Sequence, residues 1–270
     1  MKPAAFDYIR AESVDEVLAA LAKEGGDARI IAGGQSLMAM LNMRLAKPKV
    51  LIDIMRLGDL AKIERQAKSV CIGAGVRQAA LLRWPELAQT LPLVAQALPW
   101  TGHAQTRSRG TVCGSLAHAD PSAELPLMLM ALQGDVHLRN AKKRRSVSAR
   151  EFFSGMMATA RQDDELIEGA SFPANAERCA FREIGRRHGD FAIVACAAIR
   201  TAKGLRLAVG GVADTPQVRD WDNLEGSAID DALNEFAYDL DARDDVHASA
   251  RYRRDLVRTI GRDLIAQVMQ

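Results

Sequence analysis

The sequence predicts an α+β fold with two mixed lobes and a smaller C-terminal domain, and three observations carry that prediction. Apolar runs of strand length alternate with stretches at helical spacing, and glycines and prolines interrupt both. The stretch Pro173-Ala174-Asn175-Ala176 offers a linker. Beyond it come alternating apolar runs that end in a charged helical tail. The expected domains are therefore residues 1–175 and 176–270, the first with lobes over about 1–57 and 58–175.

In the first lobe, Ser13-Val14-Asp15-Glu16 has the form of a capping box. Val14, Val17, Leu18 and Leu21 follow on one face as far as Gly25-Gly26, which makes an amphipathic helix. Ala28-Arg29-Ile30-Ile31 is a strand and Leu37-Met38-Ala39-Met40-Leu41 a helix. Val50-Leu51-Ile52-Asp53-Ile54 is a second strand beyond the break at Pro48. In the second lobe, residues 62–73 read as strands and 77–98 as helices interrupted at Pro85 and Pro92. Residues 136–147 form a hairpin turning at Asn140, and 166–172 a further strand. The C-terminal domain has apolar runs at 193–199 and 205–209, then a helix from Ala248. There Tyr252, Leu256 and Ile260 share a face while Arg251, Arg253, Arg254, Asp255 and Arg258 mostly occupy the rest, the pattern of a solvated surface helix.

Composition narrows the function classes. A chain of 270 residues with 48% hydrophobic content can bury a large core. Its net charge of +2 gives no basic face for nucleic acid. Cys71, Cys113, Cys179 and Cys196 show no C-x-x-C spacing, which suits reduced thiols in the cytoplasm and places no iron–sulfur cluster on this chain. No apolar run is long enough to span a membrane.

The chemistry concentrates in two loops of small residues, Ala32-Gly33-Gly34-Gln35-Ser36 and Thr111-Val112-Cys113-Gly114-Ser115. The first lies between a strand and a helix. Its consecutive amides, with the free N–H groups of the helix start, form a concavity for phosphate oxygens. Thr111, Gly114 and Ser115 offer further hydroxyl and amide donors, so the pair of loops suits a diphosphate. Gly73-Ala74-Gly75-Val76-Arg77-Gln78 imitates the start of a dinucleotide fingerprint. Gln78 takes the third glycine's place and no acid-tipped parallel strand follows, so it reads as a tight structural turn. His118 and Asp120 lack the further ligands of a metal site and read as loop braces. Lys142-Lys143-Arg144-Arg145 reads as an exposed hairpin tip, or as a dock for an acidic partner.

The string from Thr106 to Pro126, with Thr111-Val112-Cys113-Gly114-Ser115 at its centre, resembles the second FAD loop of the medium subunits of molybdenum hydroxylases. That family includes the carbon monoxide dehydrogenase medium subunit and the xanthine dehydrogenase FAD domain. The first loop resembles the family's first FAD segment, and Phe181-Arg182-Glu183-Ile184-Gly185-Arg186-Arg187-His188-Gly189-Asp190-Phe191-Ala192 the opening of its C-terminal domain. Asp245-Val246-His247-Ala248-Ser249-Ala250-Arg251-Tyr252-Arg253-Arg254 is also in character, so the resemblance covers essentially the whole chain.

The resemblance implies a two-lobed FAD-binding domain of the vanillyl-alcohol-oxidase (PCMH) type and a small C-terminal domain of antiparallel sheet and helices. It implies FAD contacts from Ile31 through Ala32, Gly33, Gly34, Gln35 and Ser36 to Leu37, and from Thr111, Cys113, Gly114, Ser115 and Ala117. Glu124 is placed on a ribityl or ribose hydroxyl, with Ile167, Glu183 and Phe191 completing the set. Cys113 stands where many relatives have glycine and Glu183 where several have lysine. Covalent relatives of this broad fold often carry histidine where Gln35 stands, so the FAD is expected to be non-covalent. The implied partners are a small subunit with two [2Fe–2S] clusters and a large subunit with the molybdenum cofactor, in a dimer of heterotrimers. The chain offers no catalytic triad or acid–base pair of its own, as suits an electron-transfer subunit. Two alternatives stand beside this reading: a self-sufficient FAD-dependent oxidase or reductase of the vanillyl-alcohol-oxidase type, and a non-catalytic module that has lost FAD.

Overall fold

The computed structural model describes residues 2–174, 178–222 and 224–270. Asn175 and Ala176, where the expected domain boundary falls, lie outside the described residues. The first lobe contains β1 (Asp7–Arg10), α1 (Val14–Glu24), β2 (Ala28–Ile31), α2 (Leu37–Asn42) and β3 (Val50–Asp53). Its three strands are parallel in the order β1-β3-β2, as two helical crossovers require. Ser13 caps α1 by accepting from the Glu16 amide at 3.1 Å. The Glu16 carboxylate accepts from the Glu12 amide at 2.7 Å, one residue earlier than a reciprocal capping box would place it. Val17, Leu18 and Leu21 are buried, as the spacing predicts.

The second lobe begins with β4 (Ile63–Arg65) and β5 (Ser69–Gly73), followed by α3 (Gln78–Leu82), α4 (Leu87–Thr90) and α5 (Pro92–Ala97). Then come α6 (Ala104–Arg109), α7 (Val112–His118), α8 (Glu124–Leu132) and the hairpin of β6 (Asp135–Arg139) and β7 (Arg144–Ser148). The lobe closes with α9 (Ala149–Phe152), a small hairpin of β8 (Phe153–Gly155) and β9 (Ala158–Thr159), and β10 (Leu166–Pro173). A five-stranded antiparallel sheet runs β4-β5-β10-β6-β7. Asn140 turns the hairpin as expected, its Oδ1 accepting from the amides of Lys142 and Lys143, each at 2.9 Å. Helix α8 is apolar nearly all round and is buried on all sides save Met130, which makes it the central rod of the protein.

The C-terminal domain is a four-stranded antiparallel sheet, β11 (Cys179–Ile184), β12 (Val194–Arg200), β13 (Gly204–Gly210) and β14 (Gln217–Asp222), with α10 (Ala228–Asp239) and α11 (Ala250–Met269). Strand β12 reads as an unbroken apolar run because both of its faces are covered. Ala195, Ala197 and Ile199 join the core of the N-terminal domain, while Val194, Cys196 and Ala198 join Leu233, Val257, Ile260 and Leu264 in a second core.

Helix α11 corrects the surface-helix expectation. Its buried stripe is Arg253, Val257, Ile260, Gly261, Leu264, Ile265 and Val268, and Tyr252 is exposed. Arg253 displaces the expected face because its guanidinium donates to the carbonyls of Ile193 at 2.7 Å and Gly211 at 2.5 Å and to the Asp245 carboxylate at 2.5 Å. A buried arginine with that many acceptors is satisfied, so its stem can occupy the apolar face.

Candidate cofactor site

The first glycine loop lies where the two lobes meet. Gly34 has φ +69, the left-handed region that glycine enters without strain. A Cβ on Gly33 would lie 2.3 Å from the Arg109 carbonyl oxygen and 2.7 Å from the Gly110 Cα, so only glycine lets this loop rest on the backbone leading into the second loop. Among the described residues, no protein acceptor takes the amides of Gly33, Gly34, Gln35, Ser36 or Leu37. A run of uncommitted N–H groups at a helix start is an anion cradle. The Gln35 side chain braces the turn, Nε2 donating to the Gly33 carbonyl at 3.1 Å. Ser36 is the N-cap of α2 but does not cap it with its side chain, which leaves the hydroxyl available. Ile31, Ala32 and Leu37 flank the turn half-buried.

The second loop behaves differently. Thr111 is the N-cap of α7: its Oγ1 accepts from the Gly114 amide at 3.0 Å and its carbonyl from the Ser115 amide at 3.3 Å. The amides of Gly114 and Ser115, expected to face a ligand, are thus held in the helix cap, and the donors left there are the Cys113 amide, which meets no acceptor among the described residues, and the Thr111 and Ser115 hydroxyls. A Cβ on Gly114 would sit 2.7 Å from Thr111 Oγ1, so this glycine serves the cap. Cys113 is buried, with its thiol reaching the Ile72 carbonyl at 3.4 Å, and burial pushes the thiol pKa far up. Its side chain points into the core and leaves the opposite side of the loop free. Ala117 is exposed on the same helix.

A third segment comes from the C-terminal domain. Gly189, at φ +89, packs against the His103 ring, and the His188 ring meets Trp100 tilted by 60°, with 4.8 Å between centroids. Arg107 fixes that neighbourhood by donating to the carbonyls of Pro99, Thr101 and Gly102 at 3.1, 3.1 and 2.6 Å. Sequence reasoning gave no role to Arg107, Trp100 or His103; the one local signal is Gly102, with φ +54. Phe191 is 61% exposed, which rules out the ordinary core phenylalanine and leaves an aromatic face open to a ligand. Ile167 is buried in the main core beside the bulge of β10. Glu124 and Glu183 are both buried, and burial pushes Glu124 up to about 7 and Glu183 up to about 8, the latter helped by the charge of Glu124.

The remaining candidates are structural. The amides of Gly73, Ala74 and Gly75 donate to the carbonyls of Lys62, Glu168 and Leu60, so the glycine segment of the fingerprint-like turn keeps no free amide. Asp120 accepts from the Ser122 amide at 2.8 Å, the expected brace, and no group of three or more metal-ligating side chains occurs among the described residues. In the basic hairpin, Arg144 pairs with Glu168 and Arg145 with the buried Glu165 at 2.7 Å, leaving Lys142 and Lys143 exposed. A shallow cleft of about 420 Å³, lined by Cys71, His137, Arg144, Ser146 and Glu168, contains none of the glycine-loop residues.

Two lobes meeting at an amide-lined glycine loop, with a C-terminal sheet packed against helices of the second, define a two-lobed protein with a cradle for a phosphate-bearing ligand. The chain belongs to the family described as the FAD binding domain in molybdopterin dehydrogenase, which matches residues 4–175; residues 179–268 match the CO dehydrogenase flavoprotein C-terminal domain. It is 36% identical to the 6-hydroxypseudooxynicotine dehydrogenase complex subunit alpha of Paenarthrobacter nicotinovorans, over 100% of this chain and 96% of that one. It is 34% identical to the carbon monoxide dehydrogenase medium chain of Hydrogenophaga pseudoflava, over 82% of this chain and 79% of that one. Its fold matches a chain of quinoline 2-oxidoreductase from Pseudomonas putida 86 with a TM-score of 0.93 at 32% identity, covering 100% and 99% of the two chains. FAD is the family's cofactor. The free amides and left-handed Gly34 of the first loop fit its diphosphate.

Proposed function

We propose that this chain is the FAD-holding electron-transfer subunit of a cytoplasmic molybdenum hydroxylase complex. It stands between the iron–sulfur clusters of a small partner subunit and an external acceptor, while a large subunit carries the molybdenum cofactor and the organic substrate. The observation that supports this best is the run of uncommitted amides from Gly33 to Leu37, held against Arg109 and Gly110. In this reading residues 1–175 hold the cofactor and 176–270 cover it. The first loop binds the diphosphate with its amides and the Ser36 hydroxyl, the Thr111 and Ser115 hydroxyls bind from the other side, and Glu124 accepts from a ribityl or ribose hydroxyl. Phe191 offers its exposed ring to the flavin, beside Glu183. Bound FAD supplies exchange between one-electron and two-electron partners. The chain's own task is to bind and orient it.

The test is purification of the native complex on a tag carried by this chain. The expected result is one smaller and one larger companion, with FAD that acid releases into the supernatant. The isolated chain is expected to bind FAD and to leave organic substrates of the complex unoxidised. Flavin that stays with the precipitate, or reduction of the flavin by substrate in the pure single chain, would overturn the assignment and favour a self-sufficient oxidase.

A further inference from the structure

Three stretches of chain converge beneath the first turn of α11. Gly211, at φ +81, rests on the segment that follows Phe191: a Cβ there would lie 2.9 Å from the carbonyl oxygens of both Ala192 and Ile193. The Gly211 amide donates to the Pro121 carbonyl at 2.8 Å, and the Ile193 amide donates to the Ile184 carbonyl at 2.8 Å. Arg253, 5% exposed, closes the junction. Its Nη1 donates to the carbonyls of Ile193 and Gly211, while Nη2 donates to the Asp245 carboxylate. Each stretch leads to a residue assigned above to the flavin. Phe191 lies two positions before Ile193, Glu183 one before Ile184, and Glu124 three after Pro121. The link from Pro121 to Glu124 is braced, since the Asp120 side chain accepts from the Ser122 amide at 2.8 Å and its carbonyl from the Ala123 amide at 3.1 Å, and Ala123 is the N-cap of α8. A guanidinium serves two carbonyls and a carboxylate at once because its donors spread in a fixed fork; an ammonium is a single point.

We propose that Arg253 is a positioning residue for the cofactor: it ties the Phe191 segment of the C-terminal domain to the turn before Glu124 in the second lobe, and so fixes how the two domains' flavin contacts stand to one another. It acts through the backbone of Ile193, Gly211 and Pro121. The proposal rests on the FAD-site reading above. Helix α11 then has two separable tasks. Its first turn holds the junction, and Val257, Ile260, Leu264 and Val268 fill the second core.

The experiment compares two variants of the full chain. Arg253→Lys keeps the charge beside Asp245 but cannot bond both carbonyls, whereas Val268→Ala thins the packing at the other end of the same helix. Both are expected to lower Tm. Only Arg253→Lys is expected to weaken FAD binding in a fluorescence titration, by about tenfold, and to change the visible circular dichroism of the bound flavin, which reports the groups placed around its ring. Arg253→Met, with no donors left, is expected to weaken binding further; should it fail to fold, the lysine variant decides. A second measurement needs no ligand. Hydrogen exchange in the apoprotein is expected to speed up about tenfold at the Ile193 and Gly211 amides in Arg253→Lys and to stay at the wild-type rate in Val268→Ala. Unchanged FAD affinity and flavin dichroism in Arg253→Lys, or equal changes in Val268→Ala at a matching loss of Tm, overturn the positioning role. A wild type that binds no FAD overturns the cofactor reading instead, and the exchange rates still decide whether Arg253 holds the junction.

Discussion

The loops at Gly33-Gly34 and Gly73-Ala74-Gly75 look alike in the sequence, since each follows a strand and turns through glycine toward a helix. Both rest glycine on foreign backbone: an added Cβ would lie 2.3 Å from the Arg109 carbonyl oxygen at Gly33 and 2.3 Å from the Leu60 carbonyl oxygen at Gly73. Their amides differ. At Gly73, Ala74 and Gly75 each N–H finds a carbonyl within the protein; from Gly33 to Leu37, among the described residues, none does. Glycine spacing reports close approach of chains, and only the accounting of N–H groups separates a buttress from a ligand cradle.

Substitution at the two turns sharpens that contrast. Gly34→Val places a β-branched residue at φ +69 in the cradle and is expected to abolish FAD binding while the fold persists. The stabilisation by FAD, about 2.7 kcal/mol at free ligand a hundredfold above Kd, then disappears from thermal melts. Gly73→Ala is expected to do the converse. It costs about 2 kcal/mol in urea unfolding, and the protein that remains folded binds FAD with unchanged affinity. A loss of FAD affinity in Gly73→Ala without a loss of stability would break the comparison.

Smaller effects belong to the second loop, where the cap holds the amides of Gly114 and Ser115. Thr111→Val removes the Oγ1 acceptor of the Gly114 amide and is expected to cost about 1 kcal/mol of stability, with Thr111→Ser restoring most of it in the same unfolding assay. Cys113→Ala is the mildest: trimming a buried thiol costs about 1 kcal/mol or less and leaves FAD affinity unchanged in a fluorescence titration, because the side chain points into the core.

What the sequence made legible was governed by local rules. The cap at Ser13, the turn at Asn140 and the breaks at Pro85 and Pro92 each depend on a residue's own backbone chemistry, and each appears in the structure. Strand β1 gives no apolar run, because Asp7-Tyr8-Ile9-Arg10 is a mostly exposed edge, so it goes unannounced. The buried face of α11 differs from the one its spacing predicts because Arg253 owes its burial to the carbonyls of Ile193 and Gly211, which flank β12 and β13. The first glycine loop was legible as a strand–glycine–helix turn. The side of the chain on which Cys113 lies, the cap held by Thr111 and the burial of Glu124 and Glu183 depend on tertiary packing, which spacing does not encode.

Contact between Gly33 and Gly110 also bears on how the protein is assembled. These residues are far apart in the chain, and their contact forms only when both lobes have folded and docked, a late event by the ordering that loop closure imposes. The nascent first lobe, emerging from the ribosome alone, presents its free amides on a turn with nothing behind it. On the proposed reading, cofactor insertion follows synthesis of the second lobe, and a chain truncated before Gly110 is born without the wall its first glycine loop leans on.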